Sequence, residues 1–537
     1  MPIIQNRIFT RLAAGLILFL PLTAWSVAGK EPAIVPAVTQ SSSNSGHQIH
    51  WQKSAVDNVF AIAKARNKPV FLYWGASWCP PCNQVKATIF NRQDFIEKSR
   101  FFLPVYIDGD SPGAQKLGTR FKVRGYPTMI LFKPNGEEIT RLPGEVDPER
   151  YMQVLSIGIN ATRPVKELLE AALGNAASGG SAISMDDWRL LAFYSWDTDE
   201  QQLLASREIA ATLRRLAAAS QPVAPDIAAR FRLRALVAEA VAKPVNTGPE
   251  SAAIPQLLSL LGNPALAREN FDLIANYTGD VLTYLGALKS DQQKPLESAW
   301  NAILEQFLAD GSLSTADRLT AMTAKVALAK LQNDPGSLPP ATLQQARDEV
   351  ARADRLTTDR YARQSVISAA ADVLSEAGLL DESDSLLKAE LKRSHSPYYF
   401  MLGLAANARK RGDKAVAIQW TAKAYAAAVG PATRLQWGSS YIRTLVELAP
   451  DDEAQIEMAT KRVLGELKTA PDTFYERNLR SLERVGKSLR EWNRENAHAA
   501  VVRRLQAQMD GICKKLPAAD PARTACHGIS IQAASRA

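Results

Sequence analysis

The sequence predicts two kinds of structure in one chain: an α/β unit near the N-terminus and a large all-α region after it. Apolar strand-like runs alternate with helix-period segments in residues 48–162, which predicts a sheet with helices on its faces. From Asp186 onward strand signals almost vanish, and Ala, Leu, Glu, Arg and Lys dominate at helical spacing. Gly378 and Gly412 each lie between two helical patterns, and their spacing is that of tetratricopeptide-like helix–turn–helix repeats.

The elements of the α/β unit follow from local patterns. Helices and strands alternate at first, and we expect them at 54–67, 69–75, 80–98 and 101–108. A short helix follows at 114–121, and then two strands, 128–132 and 138–142, form a hairpin around Asn135-Gly136, a dipeptide typical of tight turns. Asp147 as N-cap and Pro148 at the first helical position begin a closing helix that ends at Asn160.

The N-terminal residues have the pattern of a secretory signal. Arg7 and Arg11 form a basic region, and the apolar run 12–22 is too short to span a bilayer comfortably. Ser26-Val27-Ala28 supplies the small residues of a cleavage site, so we expect cleavage near Ala28 and a signal peptide at 1–28. The alternative is an uncleaved N-terminal anchor. No later stretch is a long uninterrupted apolar run of the kind that spans a bilayer, and the mature protein is expected to be soluble.

Composition divides the rest of the chain into six segments. In chain order we expect a flexible spacer at 29–47, the α/β domain at 48–162, a linker at 163–185, an irregular helical array at 186–350, tetratricopeptide-like repeats at 351–470, and C-terminal helices with a disulfide-closed tail at 471–537. A plain helical bundle is the alternative for the helical half. The distinction matters because a repeat array carries an extended concave surface for a partner, whereas a bundle implies none.

Charge and composition exclude some classes of function. The formal net charge is +9, of which two charges leave with the signal, and no run of five or six Lys and Arg residues occurs. Basic residues are not interleaved with aromatic ones, so the sequence does not predict nucleic-acid binding. The five histidines form no ligand pattern, and a zinc site would need two further ligands near the first cysteine pair. We therefore expect no metal and no cofactor.

The four cysteines form two unlike pairs. Cys79 and Cys82 stand in Trp78-Cys79-Pro80-Pro81-Cys82, directly after an apolar strand and at the start of a helix. Unpaired N–H groups and the positive end of the helix dipole favour a thiolate at Cys79, and a thiolate attacks disulfides where a thiol does not. Cys82 lies one turn inside the helix, where it can resolve a mixed disulfide. No histidine lies between the two cysteines, which argues against a strongly oxidising pair.

Cys513 and Cys526 enclose a segment rich in turn residues, including Pro517, Asp520 and Pro521. A disulfide between these cysteines would close a C-terminal loop and add on the order of 3 kcal/mol of stability in the chain-entropy model. We expect this bridge to be structural. The alternative is a second redox pair, but no flanking proline or helix start supports it.

Three stretches together resemble the thioredoxin superfamily: Trp74 to Cys82, Val123 to Thr128 and Phe132 to Glu137. The resemblance covers about a fifth of the chain, and it is closest to the periplasmic thioredoxin-like domain of transmembrane disulfide reductases. It implies that Cys79 is the nucleophile, Cys82 the resolving cysteine of a redox-active disulfide, and Pro127 a cis-proline beside it. Tyr126 is then expected to present backbone to an extended substrate segment, and Trp78 to pack beside the active site.

One position departs from the family pattern. The family commonly buries an acidic residue six positions before the first cysteine, as a proton acceptor for the second, and this chain has Tyr73 there. The basic residue often found on the adjacent strand would fall near Pro104. A tyrosine is a poor base at neutral pH, since its ordinary pKa is about 10. Proton transfer at Cys82 would then run through water, or resolution would be slow.

These observations predict an exported thiol–disulfide oxidoreductase, expected in the periplasm and acting as a reductase. Its expected partners are protein disulfide substrates, a membrane thiol protein that donates electrons, and proteins bound by the helical repeats. The first alternative is a periplasmic scaffold or adaptor whose thioredoxin-like module is redox-inactive. The second is a disulfide oxidase or isomerase, which would use the same cysteines and differ in reduction potential.

Overall fold

The computed structural model describes residues 48–174, 183–242, 249–286, 291–333, 337–467 and 472–531. The predicted signal peptide and spacer lie outside the described residues, as do 175–182 of the predicted linker and the last six residues. In the described part of the chain no helix is long and apolar enough to cross a membrane.

The first domain has a four-stranded mixed sheet with helices on both faces, as the sequence predicts. Its elements are α1 (Val56–Arg66), β1 (Val70–Gly75), α2 (Pro80–Val85), α3 (Gln93–Lys98), β2 (Leu103–Asp108), α4 (Ala114–Phe121), β3 (Thr128–Phe132), β4 (Glu138–Leu142) and α5 (Pro148–Asn160). The strand order is β2–β1–β3–β4. Strand β1 is parallel to β2 and antiparallel to β3, and β3 is antiparallel to β4. Every residue of β1 is buried, because helices cover both faces of this central strand.

The helix predicted over 80–98 is broken. Helix α2 ends at Val85, a π-helical turn covers Lys86–Phe90, and α3 begins at Gln93 after an extended residue at Arg92. On one straight helix, Phe90 and Phe95 would point roughly 140° apart. The π turn and the break at Arg92 let both rings enter the same core, where their centroids lie 4.9 Å apart.

Helix α6 (Val165–Ala172) lies inside the segment predicted to be a linker. Its apolar residues Val165, Leu168 and Leu169 recur at helical spacing, and all three are buried against the first domain's core. The composition indicates a linker here because Gly and Ser are concentrated just after this helix, beyond Leu173.

The rest of the described chain is helical. Its helices are α7 (Met185–Ala192), α8 (Ile209–Ser220), α9 (Pro225–Ala242), α10 (Ala253–Leu261), α11 (Pro264–Glu269), α12 (Phe271–Leu285), α13 (Gln293–Ala309), α14 (Thr315–Gln332), α15 (Pro340–Leu356), α16 (Arg360–Glu376), α17 (Leu380–Glu390), α18 (Pro397–Arg411), α19 (Lys414–Ala427), α20 (Pro431–Leu448), α21 (Glu453–Glu466), α22 (Glu476–Trp492), α23 (Ala499–Cys513) and α24 (Pro521–Gly528).

From α12 onward the helices form two rows. The inner row consists of the even-numbered helices α12 to α22, and the outer row consists of the odd-numbered helices α13 to α23. Helices α12, α14, α16 and α18 contact one another in that order, and α20 contacts α22. Gly378 and Gly412 end two inner helices at a φ of +80°, and a side chain there would meet no atom. The left-handed backbone, rather than close packing, therefore explains both glycines.

The inner row faces the first domain. Helix α16 packs on α2, which carries the first cysteine pair, and α22 packs on α4. Near the start of α5, Arg150 forms an ion pair with Glu269 of α11 at 2.7 Å. Asp147 forms a second one with Arg268 of α11 at 3.1 Å. The helical region therefore contacts the first domain at both its earlier and its later helices.

Candidate functional site

Cys79 and Cys82 form a disulfide at the start of α2, with their Cα atoms 5.2 Å apart. Cys79 is the N-cap residue of this helix, and its sulfur accepts a hydrogen bond of 3.2 Å from the backbone N–H of Cys82. Pro80 occupies the first turn, where a missing N–H costs no helical hydrogen bond. The arrangement therefore directs an unpaired helix N–H at Cys79 Sγ, which favours negative charge on that sulfur after reduction.

The loop before β3 has a cis peptide bond between Tyr126 and Pro127. The Tyr126 hydroxyl accepts a hydrogen bond of 2.6 Å from Gln115 Nε2, which also donates to the Gly109 carbonyl at 2.9 Å. A Cβ on Gly109 would lie 2.0 Å from the Tyr126 hydroxyl, so glycine is required where the ring crosses the backbone. The rings of Tyr126 and Trp78 have centroids 6.4 Å apart, which places this loop beside the residue that precedes Cys79.

Trp78 is held by both domains. Its indole Nε1 donates to Asp110 Oδ2 at 3.0 Å, and the same carboxylate oxygen accepts a hydrogen bond from Thr433 of α20. Burial raises the pKa of Asp110, although these two hydrogen bonds act in the opposite direction. The Trp78 ring also packs against two rings of the inner row, those of Tyr399 and Trp437, with centroids 6.3 and 4.9 Å away.

Side chains of the helical region also bind the backbone next to Cys79. Gln364 Nε2 of α16 donates to the Trp78 carbonyl at 3.2 Å. His395 Nε2 lies 2.9 Å from the Ser77 carbonyl, and since a carbonyl only accepts, this nitrogen carries the proton. Burial lowers the pKa of His395, so the ring is favoured in its neutral form.

Helix α22 contacts the cis-proline loop from a second side. Arg124 Nε donates to Glu476 Oε2 at 2.8 Å, and Arg480 Nη2 donates to the Arg124 carbonyl at 3.1 Å. The guanidinium carbon of Arg477 lies 5.0 Å from the Trp78 ring centroid and 4.9 Å from that of Tyr126. Helix α22 thus contacts the backbone of Arg124 and the rings of Trp78 and Tyr126.

The result of these contacts is that the cysteine pair is buried. Cys79 is 3% exposed and Cys82 is 0% exposed, and Trp78 and Tyr126 are 3% and 5% exposed. A cleft of about 350 Å³ runs beside α2, between that helix and α14 and α16. It is lined by residues that include Gln84, Thr88, Ser314, Leu356, Asp359 and Ala362.

Tyr73 lies behind Cys82, at the position where an acidic residue was expected from the family pattern. Its hydroxyl donates a long hydrogen bond of 3.4 Å to the Cys82 carbonyl, and burial raises its pKa well above the ordinary value. The residue beside it on β2 is Tyr106, not Pro104 as the sequence suggested, because the register places Pro104 opposite Phe71. The two tyrosine rings stack with centroids 5.3 Å apart, and the Lys86 ammonium lies 5.0 Å from the Tyr106 ring centroid.

Cys513 and Cys526 form the second disulfide, with Cα atoms 5.5 Å apart and both residues 0% exposed. It joins the end of α23 to α24, away from the first cysteine pair in the chain. Among the described residues no group of three or more His, Cys, Asp or Glu side chains could hold a metal ion.

Sequence reasoning did not identify the contribution of the helical region to this site. The residues it missed are Asp110, Gln364, His395, Tyr399, Thr433 and Arg477. None stands in a motif, and all but Asp110 belong to the helical half, far from Cys79 in the chain. The helical spacing of Trp437 predicts a core residue; it is 2% exposed, and it also contacts Trp78.

Comparison with known proteins agrees with the geometry of the first domain. Residues 56–157 match the family model of a thioredoxin-like domain. Thiol:disulfide interchange protein DsbD 2 of Pseudomonas aeruginosa is 32% identical over 136 residues, which are 25% of this chain and 22% of that protein. Thiol:disulfide interchange protein DsbD of Klebsiella pneumoniae is 30% identical over 145 residues, 26% of this chain and 23% of that protein. This chain therefore spans about a fifth of the length of these relatives.

Two solved structures are similar to part of the chain. One is a DsbH oxidoreductase, at 18% identity and a TM-score of 0.20, covering 23% of this chain and 95% of that one. The other is a thioredoxin from Thermus thermophilus, at 26% identity and a TM-score of 0.18, covering 19% of this chain and 81% of that one. The first domain is thioredoxin-like, and its cysteine pair together with the interchange relatives supports thiol–disulfide exchange as its general activity.

Proposed function

We propose that this protein is an exported enzyme that reduces disulfide bonds in other proteins, with Cys79 as nucleophile and Cys82 as resolving cysteine. The observation that carries the proposal is the placement of Cys79 Sγ. It lies at the N-cap of α2, where it accepts a hydrogen bond from the Cys82 N–H. The cis Tyr126–Pro127 loop lies beside Trp78, the residue that precedes Cys79. Similarity to thiol:disulfide interchange proteins supports the same chemistry.

The reaction needs two exchange steps. In the reduced enzyme the Cys79 thiolate attacks one sulfur of the client disulfide, a mixed disulfide forms, and the other client sulfur leaves as a thiolate that takes up a proton. The Cys82 thiolate then attacks Cys79 Sγ, which releases the second client thiol and closes the Cys79–Cys82 disulfide. A dithiol protein must return two electrons and two protons to the enzyme by the same exchange in reverse. We propose a membrane thiol protein as this donor, and the cycle needs no further cofactor.

The reductive direction rests on the residues between the cysteines. Pro80 and Pro81 supply no positive charge. The stabilisation that α2 gives to the Cys79 thiolate therefore comes from the N-terminus of the helix. A moderately stabilised thiolate favours reduction of client disulfides over their formation. Oxidation or isomerisation would use the same residues, and equilibration of the pair with glutathione buffers would separate these activities by reduction potential. We propose the periplasm as the compartment, consistent with the signal pattern of residues 1–28.

The helical region adds a condition to this mechanism. A client sulfur must approach Cys79 Sγ in line with the bond that breaks, but Cys79 is 3% exposed, and Gln364 and Trp437 pack on the adjacent Trp78. Exchange with a protein disulfide therefore requires α16 to move away from α2, and α20 to move away from Trp78. We propose that the helical region, which we interpret as tetratricopeptide-like over 351–470, binds the clients that reach the site.

The test is to replace Cys82 with Ser and to search for mixed disulfides. Without the resolving cysteine, Cys79 stays joined to whatever disulfide it attacks, and the adducts are separated by non-reducing electrophoresis and identified by mass spectrometry. The matched control carries Cys79→Ser as well as Cys82→Ser and should show no adduct. A folded single variant that traps nothing would overturn the proposal.

Burial of the pair and the tyrosine at position 73 favour a second candidate, a scaffold whose thioredoxin-like domain serves only as a docking module. In that case the helical region carries the function, and substitution of both Cys79 and Cys82 by Ser would leave the cellular phenotype intact. The same trapping experiment separates the two candidates, since a scaffold forms no Cys79-dependent adduct.

A further inference from the structure

Five arginines extend from the redox site along the inner row. On α22, Arg477, Arg480 and Arg484 follow one another at helical spacing and lie within roughly 60° of one another around the helix. Arg443 of α20 and Arg409 of α18 continue the series on the inner helices that precede α22. Arg409 and Arg443 occupy equivalent positions, each at the thirteenth residue of its helix. We call these five residues the arginine track.

The track begins at the residues that border the cysteine pair. Arg477 lies over the rings of Trp78 and Tyr126, and Arg480 donates to the carbonyl of Arg124 in the cis-proline loop. Arg484 lies one turn further along α22, and its side chain is exposed. A ligand bound along the track would therefore lead directly to the redox site.

Two arginines of the track have no ion-pair partner among the described residues. Arg409 forms an ion pair with Glu447. Arg480 lies 3.7 Å from the carboxylate of Glu200, which also pairs with Arg124 at 3.5 Å. Arg477 and Arg484 form no ion pair among the described residues: Arg477 Nε donates to Gln436 Oε1 at 2.8 Å, and Arg484 Nη2 donates to Ser481 Oγ at 3.2 Å.

The arginines also repel one another. Part of the Arg484 side chain is exposed, but surrounding protein atoms partly desolvate its guanidinium group. This desolvation, followed by the charges of Arg443, Arg477 and Arg480, lowers the pKa of Arg484 to about 10, although Glu483 acts in the opposite direction. Burial lowers the pKa of Arg443 as well, and Arg409 adds to this while Glu447 opposes it. An anionic ligand that approaches these guanidinium groups offsets part of this repulsion.

We propose that the arginine track binds an acidic, extended segment of the client protein and so directs the client disulfide toward Cys79. This inference rests on the proposed function for the identity of the ligand, since an enzyme that reduces protein disulfides must receive a polypeptide at this site. Guanidinium groups pair with carboxylates in a bidentate geometry, so Glu- and Asp-rich segments fit the track. Because Arg484 is exposed while the cysteine pair is buried, the segment binds before the array moves.

The experiment measures binding apart from catalysis. A fluorescein-labelled peptide of alternating Glu and Gly, without cysteine, is titrated with the full-length protein carrying Cys79→Ser and Cys82→Ser, and anisotropy gives the Kd. The same peptide with Gln in place of Glu is the neutral ligand. We expect the acidic peptide to bind more tightly, and Arg443→Gln with Arg484→Gln to weaken its binding by about three- to tenfold, as loss of two charge pairs with the ligand predicts. Raised salt should reduce the difference.

A matched control removes the same two charges from the outer row. Arg347→Gln on α15 and Lys388→Gln on α17 replace side chains that are 39% and 54% exposed, and this variant should bind the acidic peptide as the parent does. Equal affinity for the Glu and Gln peptides, or an equal loss in the outer-row variant, would overturn the proposal. So would a single-stranded oligonucleotide that binds the track more tightly than the acidic peptide, since the ligand would then be a nucleic acid. The binding measurement uses a protein without Cys79 and Cys82 and does not depend on thiol exchange. Its failure is therefore distinct from a failure of the Cys82→Ser variant to form mixed disulfides.

Discussion

The indole of Trp78, the residue before Cys79, packs edge-on against the indole of Trp437 in the helical half of the chain, with ring centroids 4.9 Å apart. Trp437 is fixed in turn, because its Nε1 donates to the Tyr398 carbonyl at 3.0 Å. Both indoles are buried, at 3% and 2% exposed. Trp78, which precedes Cys79, is thus part of the packing between the two halves of the molecule. The access of reductants and client disulfides to the cysteine pair therefore depends on the strength of that packing.

The first prediction concerns that access. Gln364→Ala with His395→Ala removes the two hydrogen bonds to the carbonyls of Trp78 and Ser77. Each such bond contributes about 1 kcal/mol and the two together about 2 kcal/mol, so we expect the Cys79–Cys82 disulfide to be reduced up to about thirtyfold faster by excess phosphine. Alkylation of the released thiols at timed intervals, followed by mass spectrometry, measures the rate.

Gln344→Ala is the matched control for this double variant. Gln344 lies on α15, is exposed, and hydrogen bonds only to Asp348 one turn later among the contacts described. Its removal should leave the rate of reduction unchanged. If the double variant is also reduced at the parental rate, the contacts at Ser77 and Trp78 do not limit access to the pair.

The second prediction concerns Tyr73. Because burial raises the pKa of its hydroxyl well above 10, Tyr73 stays protonated at every pH at which the enzyme works and cannot accept a proton from Cys82. Tyr73→Phe should therefore leave the pH profile of client reduction unchanged between pH 6 and 9. Loss of the 3.4 Å hydrogen bond to the Cys82 carbonyl should cost at most about 1 kcal/mol in the free energy of unfolding. A shifted or missing limb in the profile would show instead that the hydroxyl takes part in proton transfer.

The third prediction concerns Asp317, a buried carboxyl of α14. Its Oδ1 accepts from Gln84 of the redox domain at 2.9 Å, and its Oδ2 accepts from Ser314 at 2.7 Å. Burial raises its pKa from 3.8 to about 6, with the charge of Asp147 adding to the effect and the Ser314 hydrogen bonds opposing it. Between these two values the folded protein binds more protons than the unfolded one, so the free energy of unfolding falls as the pH rises.

Asp317→Asn removes this titration. The free energy of unfolding of the parent, minus that of the variant, should decrease by up to about 3 kcal/mol from pH 4 to pH 7 and then stay level. Urea denaturation of both proteins at pH 4, 5, 6 and 7 gives the difference directly, since other groups titrate equally in the two. A difference that is constant across this range would place the pKa of Asp317 near its ordinary value.

The fourth prediction concerns the disulfide between Cys513 and Cys526. We expect Cys513→Ser with Cys526→Ser to lower the free energy of unfolding by about 3 kcal/mol, since the bond closes a short loop between α23 and α24. The yield of mixed disulfides trapped by Cys82→Ser should not change at a temperature where both proteins are folded. Loss of the adducts in a folded protein would assign this pair a part in the exchange reaction.

The sequence predicts the first domain well because its signals are local. Asn135-Gly136 marks the hairpin, and Gly136 has a φ of +88°, as such a turn requires. The break between α2 and α3 was missed because apolar residues at Ile89, Phe90 and Phe95 are compatible with one helix until the shared core is known. The residue opposite Tyr73 was misplaced because strand register depends on pairing between distant segments, which no local pattern encodes.

The closed site could not be predicted for a related reason. Cys79, Cys82 and Pro127 stand in short motifs, whereas Gln364 and His395 are ordinary polar residues among many in the helical half. Their importance comes from a packing arrangement that joins them to residues far away in the chain, at 3.2 and 2.9 Å. Helical periodicity predicts that such helices exist, but it does not predict which of their faces meets the first domain.

Arg124 and Glu476, which form an ion pair, are 352 residues apart in the chain, so Arg124 is synthesised well before its partner. Domains fold as units while the chain emerges, and a ribosome adds about 5–20 residues each second. Helix α5 ends at Asn160 and α22 begins at Glu476, so α5 is made tens of seconds before α22. Until the later helices are made, the contacts of Gln364, Trp437 and Arg477 with Trp78 are absent. We therefore expect the cysteines of a chain that is still folding to react more readily with other thiols and disulfides, until the inner helices contact the first domain.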